Sequence, residues 1–357
     1  MKKIIIPLLL TGMAVFTTSV SSLETSLDLT LGLERSDNSE KTKTVEISDT
    51  EQKVGVDFGL SHDGQLLDAA IDYRGVRSSY KNNTQEDTTE VNGTLNIEYQ
   101  PIEGSLFIKL DSSTSNIVGD KTALDIADNR QNRTITTLAP NWLLRPTSSD
   151  QLSLGVTYTD IRYEEADLDS DRSGATVQWS RQRSKIDVVS AQISYFDIST
   201  GVADFDYKYY QTYFSYAAML SKLDYNISLG YNETKRDEVD DVTGGFIDVE
   251  LNYKSGPSTW SLELGRELTD SSRGNNNGGS SDFSNFQSAN DGFDIYETTT
   301  LQASWSSNSL CSSCTVNASI SYQDEDYDTL DNDSEEISAN IGFAYELSRS
   351  TRFSLDT

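Results

Sequence analysis

The feature that most constrains this chain is a strict alternation of apolar and polar side chains. In residues 23–35, LETSLDLTLGLER, leucines occupy only odd positions, whereas Glu24, Asp28 and Glu34 occupy even ones. Successive side chains of a β-strand point to opposite faces of its sheet, so a two-residue period predicts a strand with one apolar and one polar face.

The same alternation recurs along the whole chain. About sixteen such runs, each of about ten residues, precede the start of another at RFSLDT, and ten residues is the length of a tilted strand that crosses a bilayer. The clearest runs are residues 54–60, 69–73, 91–99, 106–110, 152–158, 175–179, 189–195, 207–219, 223–231, 247–253, 260–268, 295–305, 316–322 and 337–345.

The connections between runs alternate in length. Short turns such as HDGQ, PIEG and SGPS are followed by longer acidic segments such as KNNTQEDTTE and DEDYDTLDNDSEE. Short turns at one end and long polar loops at the other are typical of outer-membrane barrels. A water-soluble sandwich also alternates, but it does not sort its loops by side. We therefore predict an all-β, antiparallel, up-and-down transmembrane barrel of about 16–18 strands.

The N-terminus has the pattern of an export signal. Lys2 and Lys3 precede the apolar run IIIPLLLTGMAVF, and small residues follow, which predicts a cleaved signal peptide over residues 1–22 and a barrel over residues 23–357. Bacterial barrels have even numbers of strands, so the incomplete last run predicts that one or more C-terminal strands are missing. The expected location is the outer membrane, in contact with lipid and lipopolysaccharide.

Charge and residue counts narrow the function. The net charge of −29 excludes nucleic acid as an expected partner. The chain has one histidine, His62, in the short segment SHDGQ, and a turn is a poor place for a catalytic base. The abundant carboxylates offer no pair that stands out for hydrolysis. We therefore predict a protein that is not an enzyme and has no cofactor, apart from loose divalent cations at the acidic loops.

Carboxylates dominate the predicted inward face. Cations are few on that face (Arg74, Lys109 and Lys208), so a lumen that favours cations is expected. The predicted pore-lining carboxylates are Asp28, Asp57, Asp72, Glu98, Asp224, Asp248, Glu250, Glu263 and Asp294. The long loop over residues 270–293 is a candidate plug of this lumen.

Two smaller motifs lead to further hypotheses. The aromatic run YKYYQTYFSY would point Tyr210, Phe214 and Tyr216 inward, either as lumen packing or as a stacking strip for sugar rings. Aromatic residues near the ends of the other runs suggest interfacial girdles. Cys311 and Cys314, in CSSC, are expected to form a small disulfide, with free thiols as the alternative.

A weak calcium motif lies in the last long loop. Asp324, Asp326, Asp328 and Glu335 match positions 1, 3, 5 and 12 of a calcium-binding loop, but Thr329 replaces its glycine. The match is therefore partial.

Two segments give the chain a resemblance to a known family. NRTITTLAPNWLLRPTSSDQLSLGVTYTDIRYEE and SLELGRELTDSSRGNNNGG resemble the outer-membrane barrel proteins associated with exosortase/PEP-CTERM and exopolysaccharide loci. The resemblance implies a pore or scaffold in exopolysaccharide export or assembly, with polysaccharide and export machinery as partners. A structural barrel that docks a partner complex is the alternative, and a barrel enzyme is a third.

Overall fold

The computed structural model describes most of the chain beyond the predicted signal peptide. The described residues are 23–39, 47–118, 130–164, 169–201, 206–236, 240–270, 295–309, 311, 313–328, 333–348 and 351–356. The predicted signal peptide, the candidate plug loop and Asp294 lie outside them, so those three predictions stay predictions.

Seventeen β-strands account for the regular structure of these residues. They are β1 Leu23–Ser36, β2 Asp49–His62, β3 Leu67–Tyr80, β4 Thr88–Ile102, β5 Leu106–Val118, β6 Arg130–Leu144, β7 Asp150–Tyr163, β8 Ser170–Gln182, β9 Asp187–Thr200, β10 Tyr207–Met219, β11 Leu223–Arg236, β12 Val242–Ser255, β13 Ser258–Asp270, β14 Ile295–Ser307, β15 Cys314–Tyr327, β16 Ser334–Ser348 and β17 Thr351–Asp356. In the described part of the chain, no helix is long and apolar enough to cross a membrane.

Each strand pairs antiparallel with the next strand in sequence. The pairing of β1 with β2, for example, runs unbroken from Leu23 opposite His62 to Ser36 opposite Asp49. Among the described residues, β1 pairs with β2 alone and β17 with β16 alone. The predicted up-and-down architecture is confirmed, and its strand number falls within the predicted range.

The connections at one end of the strands are mostly shorter than those at the other, as the sequence predicts: they have two to six residues at one end and five to twenty-four at the other. The short ones are residues 63–66, 103–105, 145–149, 183–186, 220–222, 256–257, 308–313 and 349–350. The others, from residues 37–48 after β1 to residues 328–333 after β15, all lie at the opposite end of the strands. We call the two ends of the sheet the turn end and the loop end.

One face of the sheet carries exposed apolar side chains over its whole width. Phe214 is 62% exposed and Ile193 is 65% exposed. Other members of this outward face are Leu29, Leu31, Val54, Val156, Val177, Leu229, Trp260, Ile320 and Ile341. Water would penalise this much exposed apolar surface, whereas lipid tails accept it. The outward face is therefore the surface that meets the hydrocarbon of the bilayer.

Aromatic residues band the outward face near both ends. At the turn end, Tyr253, Trp260 and Trp305 lie in one row across β12–β14, and the two tryptophan rings are 5.8 Å apart. Nearer the loop end, Tyr195 and Tyr210 are opposite each other on β9 and β10, with ring centroids 5.1 Å apart. This arrangement matches the girdles that outer-membrane barrels place at the lipid–water interfaces.

A charge placed on the outward face should destabilise the barrel. Val177 lies near the middle of β8 on this face, and its neighbour Gln178 lies on the opposite face. We expect Val177→Arg to lower the free energy of unfolding by about 2–4 kcal/mol, because it places a cation in hydrocarbon. Urea titration of the protein refolded in lipid vesicles measures the loss. Gln178→Arg is the matched control, and an equal loss from both variants would contradict the assignment of faces.

Candidate functional site: a narrowed lumen

The inward face encloses a cavity near the loop end. The cavity has a volume of about 480 Å³, within the range of small-molecule sites. Its walls come from β6 to β13, so the sheet curves around it. The lining side chains are Ile135, Thr137, Thr157, Thr159, Ile161, Arg172, Thr176, Gln192, Ser194, Phe196, Ile198, Tyr207, Tyr209, Gln211, Tyr213, Thr234, Phe246, Glu267, Leu268 and Thr269.

An apolar cluster narrows the lumen beside this cavity. Ile198 of β9 and Tyr207 of β10 pack with Leu268 of β13 and Ile295 of β14, and all four are at most 5% exposed. Strands β10 and β13 are not neighbours in the sheet. The contact therefore passes over β11 and β12 on the inward side of the sheet, and these apolar side chains occupy part of the interior at this level.

Leu268 reaches the interior because β13 departs from β12. The two strands pair only as far as Arg266 opposite Ile247, whereas β13 continues to pair with β14 up to Asp270. By strict alternation Leu268 would face lipid with Leu262, but it is 4% exposed, and its Cγ would lie 3.0 Å from a Cβ added at Gly244. Glycine at position 244 thus allows the close approach of β13.

An ion pair between a buried arginine and a partly exposed aspartate connects strands in the same region. The Nη2 of Arg236, at the end of β11, donates to Asp328 Oδ2 at 2.6 Å and to the carbonyl oxygen of Asp240 at 2.9 Å. The side chain of Arg236 is 4% exposed. The amide of Asp328 donates in turn to the carbonyl of Ile295 at 3.0 Å. The pair therefore ties β11 to the end of β15, past the three strands between them.

Arginines mark the loop end of the inward face. Arg133 and Arg172 lie near the starts of β6 and β8. With Arg236 they are among the buried charged residues, since the three whole residues are 2%, 8% and 8% exposed. Arg172 and Arg236 stand in one row across four strands, with Ile198 and Tyr207 between them. The sequence analysis missed all three arginines as lumen residues, although extending the alternation to the strand ends would have placed them there.

Carboxylates gather toward the turn end of the same wall. Glu250 on β12 is directly opposite Glu263 on β13, and Asp248 is two residues along. Asp248 accepts long hydrogen bonds of 3.5 Å from Asn226 and Ser228. Among the described residues, none of these three carboxylates lies within an ion-pair distance of a cation. Like charges placed opposite each other are destabilising, so this group favours a nearby cation.

The remaining predicted pore-lining acids lie in different surroundings. Asp57 is 3.5 Å from Arg74, and Glu98 is 3.2 Å from Lys109, so cations on the neighbouring strands balance these two. Asp28 is opposite Asp57, Asp72 is opposite Gly59 and Thr94, and Asp224 is opposite Asn252.

One predicted lumen cation lies on the other face. Lys208 is opposite Asp197, and both side chains are exposed. They belong to the face of Tyr210, so the placement of Lys208 in the lumen is wrong.

The predicted inward direction of Tyr210, Phe214 and Tyr216 is also wrong. These residues are opposite Tyr195, Ala191 and Val189, which lie on the outward face. The aromatic residues of β10 that line the cavity are Tyr207, Tyr209 and Tyr213. Aromatic residues occupy both odd and even positions of this run, so only the pairing of β10 with β9 decides which rings face the lumen.

The predicted calcium loop is replaced by strand and ion pairs. Asp324 and Asp326 lie inside β15, Asp328 binds Arg236, and Glu335 is opposite Asp324 on β16. Within the described ranges, no group of three potential ligands is placed to hold a metal ion. The four residues therefore do not form the loop on which the prediction depended.

The two cysteines and the histidine of the remaining motifs lie at the turn end. Cys311, in the short connection before β15, forms a disulfide with Cys314, the first residue of β15. His62 is the last residue of β2, beside a second, smaller cavity that Asp68, Glu98 and Lys109 also line.

Comparison with known proteins supports the architecture. No protein-family model and no curated protein sequence matches the chain. Among solved structures, the FrpB iron transporter from Neisseria meningitidis is similar in its F5-1 variant, with a TM-score of 0.55, 9% identity, and coverage of 94% of this chain and 65% of that chain. The F3-3 variant gives a TM-score of 0.54 at 10% identity, with the same coverage.

A third similar structure is the FpvAI–pyocin S2 complex. It has a TM-score of 0.52, 9% identity, and coverage of 93% of this chain and 55% of that chain. This chain thus spans less than two thirds of the length of these structures. At such identities the likeness concerns the fold, which is that of Gram-negative outer-membrane β-barrels. With the apolar outward face, it identifies the chain as an integral outer-membrane β-barrel protein.

Removing Asp328 should loosen the loop end. Asp328→Ala leaves the buried guanidinium of Arg236 without its carboxylate partner, and we expect the free energy of unfolding to fall by about 1–3 kcal/mol. Limited proteolysis and hydrogen exchange of the refolded barrel should show faster opening near residues 236–240 and 328. The control is Glu336→Ala, which removes an exposed carboxylate at the same end. Equal opening in both variants would contradict the role of the ion pair.

Proposed function

We propose that the chain forms a narrowed transport pore for small solutes in the outer membrane. The observation that carries this proposal is the inward face, which is polar along much of its length and is constricted at the loop end by one apolar cluster. A purely structural barrel needs neither a cavity of about 480 Å³ nor a charged interior. A protein that passes solutes needs both an aqueous path and a point that selects among them.

The interior charge gives this pore two zones. Solutes that enter from the loop end first meet the region of Arg172 and Arg236, where Asp328 balances Arg236. Farther in, they meet Asp248, Glu250 and Glu263, which have no cationic partner among the described residues. The second zone has the stronger uncompensated charge, so we propose that the pore passes small cations more readily than anions.

A role in exopolysaccharide export or assembly is a second proposal. It depends on the resemblance of residues 132–165 and 261–279 to barrels of exopolysaccharide loci. The first segment forms β6 and β7, and the second contains the part of β13 that bends inward. An export role requires the cluster around Leu268 to open, because an extended polymer needs an uninterrupted lumen. Loss of surface polysaccharide on deletion of the gene, with restoration by the intact gene, would support this role.

A non-conducting barrel that docks a partner complex is the third proposal. It would use the loop end as its contact surface and would keep the cluster closed. Absence of conductance in planar bilayers, for a protein that is shown to be folded, would favour docking over transport. Loose binding of divalent cations by the acidic loops, close to lipopolysaccharide, is compatible with each of the three roles.

Shortening Leu268 should widen the pore. We expect Leu268→Ala to raise the single-channel conductance in planar bilayers, because it removes the β13 contribution to the cluster. The same change should cost about 2–5 kcal/mol of stability, as other buried leucines do. Leu262→Ala is the control, since Leu262 lies on the outward face of the same strand. A conductance that does not change in Leu268→Ala, or that rises equally in the control, would contradict the constriction.

Neutralising the acidic zone should weaken cation preference. In the double variant Glu250→Gln and Glu263→Gln, the reversal potential across a salt gradient should shift toward that of a nonselective pore. The control is Asp197→Asn, which removes an exposed carboxylate on the outward face. A wild-type pore that prefers anions would overturn the proposed selectivity.

A further inference from the structure

The cavity at the loop end combines partly exposed aromatic rings with neutral hydrogen-bonding groups. Partly exposed aromatic rings offer apolar surface to a ligand, whereas hydroxyl and amide groups offer donors and acceptors beside them. We infer that this cavity binds an uncharged sugar, of the size of a short oligosaccharide. The inference rests on the proposed transport function, because a sugar would reach the cavity through the lumen.

Two aromatic rings stack on each other on the inward wall. Gly230 of β11 lies between Tyr213 of β10 and Phe246 of β12. The rings of Tyr213 and Phe246 are stacked, with centroids 4.9 Å apart and planes 29° apart. A Cβ added at Gly230 would lie 2.1 Å from the carbonyl oxygen of Thr212 and 2.5 Å from the Cβ of Tyr213, so glycine at this position allows β10 to approach β11 closely beside the stacked pair.

A third ring, that of Phe196, packs over a glycine. The ring of Phe196 on β9 covers Gly174 on β8, where an added Cβ would lie 2.2 Å from the Cδ1 of Phe196. Its centroid is 6.4 Å from that of Tyr209 on β10. The rings of Phe196 and Tyr209 are partly exposed, as are those of Tyr213 and Phe246. Tyr207 is only 5% exposed and belongs to the apolar cluster with Leu268. The four partly exposed rings form a strip along the cavity, which we call the ring strip.

Hydrogen-bonding groups run beside the ring strip. The hydroxyl of Tyr213 donates to Gln192 Oε1 at 2.8 Å, and Gln192 Nε2 donates to Ser194 Oγ at 3.0 Å. Gln211 Nε2 donates to the hydroxyl of Tyr209 at 3.3 Å. Gln192 and Gln211 are partly exposed, and each amide has two N–H donors and a carbonyl acceptor, so both have the chemistry to bond a ligand as well.

The charge of the cavity favours an uncharged ligand. Its hydrogen-bonding lining consists mainly of threonine, serine, glutamine and tyrosine, and its charged side chains are Arg172 and Glu267, which have opposite signs. A strongly anionic ligand would need an excess of cations, and a cation would need an excess of carboxylates. A sugar ring has apolar C–H faces and a rim of hydroxyl groups, which suits flat rings flanked by neutral polar groups.

The experiment measures sugar binding by calorimetry on the full chain in detergent. The probes are maltotriose and cellotriose, with trigalacturonic acid as a charged comparison. We expect wild-type protein to bind at least one neutral trisaccharide more tightly than the acid. Tyr213→Ala should weaken that binding about tenfold, because it removes a ring from the strip. Tyr213→Phe, which keeps the ring, should retain most of the affinity and also guards against loss of folding.

Tyr210→Ala is the matched control for Tyr213→Ala. Tyr210 has the same side chain on the same strand but faces outward, so its removal should leave sugar binding unchanged. Three results would overturn the inference: no binding of either neutral probe, tighter binding of the acid, or an equal loss in Tyr210→Ala. Conductance measured separately in bilayers tests the pore itself, so a pore that conducts without binding sugar refutes this inference alone.

Discussion

The structure depends on one constraint: inside hydrocarbon, every backbone N–H and C=O must find its partner within the protein. Strands β2 to β16 meet it in one long antiparallel meander, in which each is hydrogen-bonded to a strand on either side, whereas β1 and β17 pair on one side among the described residues. Because strand pairing satisfies the backbone, side chains are free to divide by face. Alternation of lipid-facing and inward residues follows from that division, as do aromatic bands at the interfaces and connections sorted by length.

The interior is organised by departures from this regular pattern. Where β13 separates from β12, Leu268 turns from the lipid side to the inward side and packs with Tyr207, three strands away. Glycines permit such close approaches, since Gly244 leaves room for Leu268 and Gly174 leaves room for the ring of Phe196. In a barrel of perfect alternation Leu268 would face lipid, so the proposed constriction depends on the place where the alternation fails.

From β6 to β13 the charged residues of the inward face differ with depth. The buried arginines lie at the loop ends of β6, β8 and β11, whereas Asp248, Glu250 and Glu263 lie nearer the turns. A net charge of −29 summarises the whole chain, including loops exposed to water, and it does not reveal this division. Hydrogen bonds from its guanidinium to Asp328 and to a backbone carbonyl offset the desolvation cost of burying Arg236. The same pair fastens the narrowed end, so electrostatics and constriction act together there.

The sequence by itself determined the fold class, the approximate positions of the strands, the direction of most side chains and the difference in loop length between the two ends, because each follows from local period and spacing. The strands of the structure are longer than the predicted runs, since β2 covers residues 49–62 and its run covers residues 54–60. It also predicted the neighbouring cysteines as a bonded pair, and the structure joins them. Only the tertiary structure decided which rings of β10 face inward, since Tyr210 and Tyr213 belong to a run with aromatic residues at both odd and even positions. It also placed Asp324 in a strand and joined Asp328 to Arg236, 92 residues away. Those outcomes depend on pairing register and on contacts across the barrel, which no local pattern encodes.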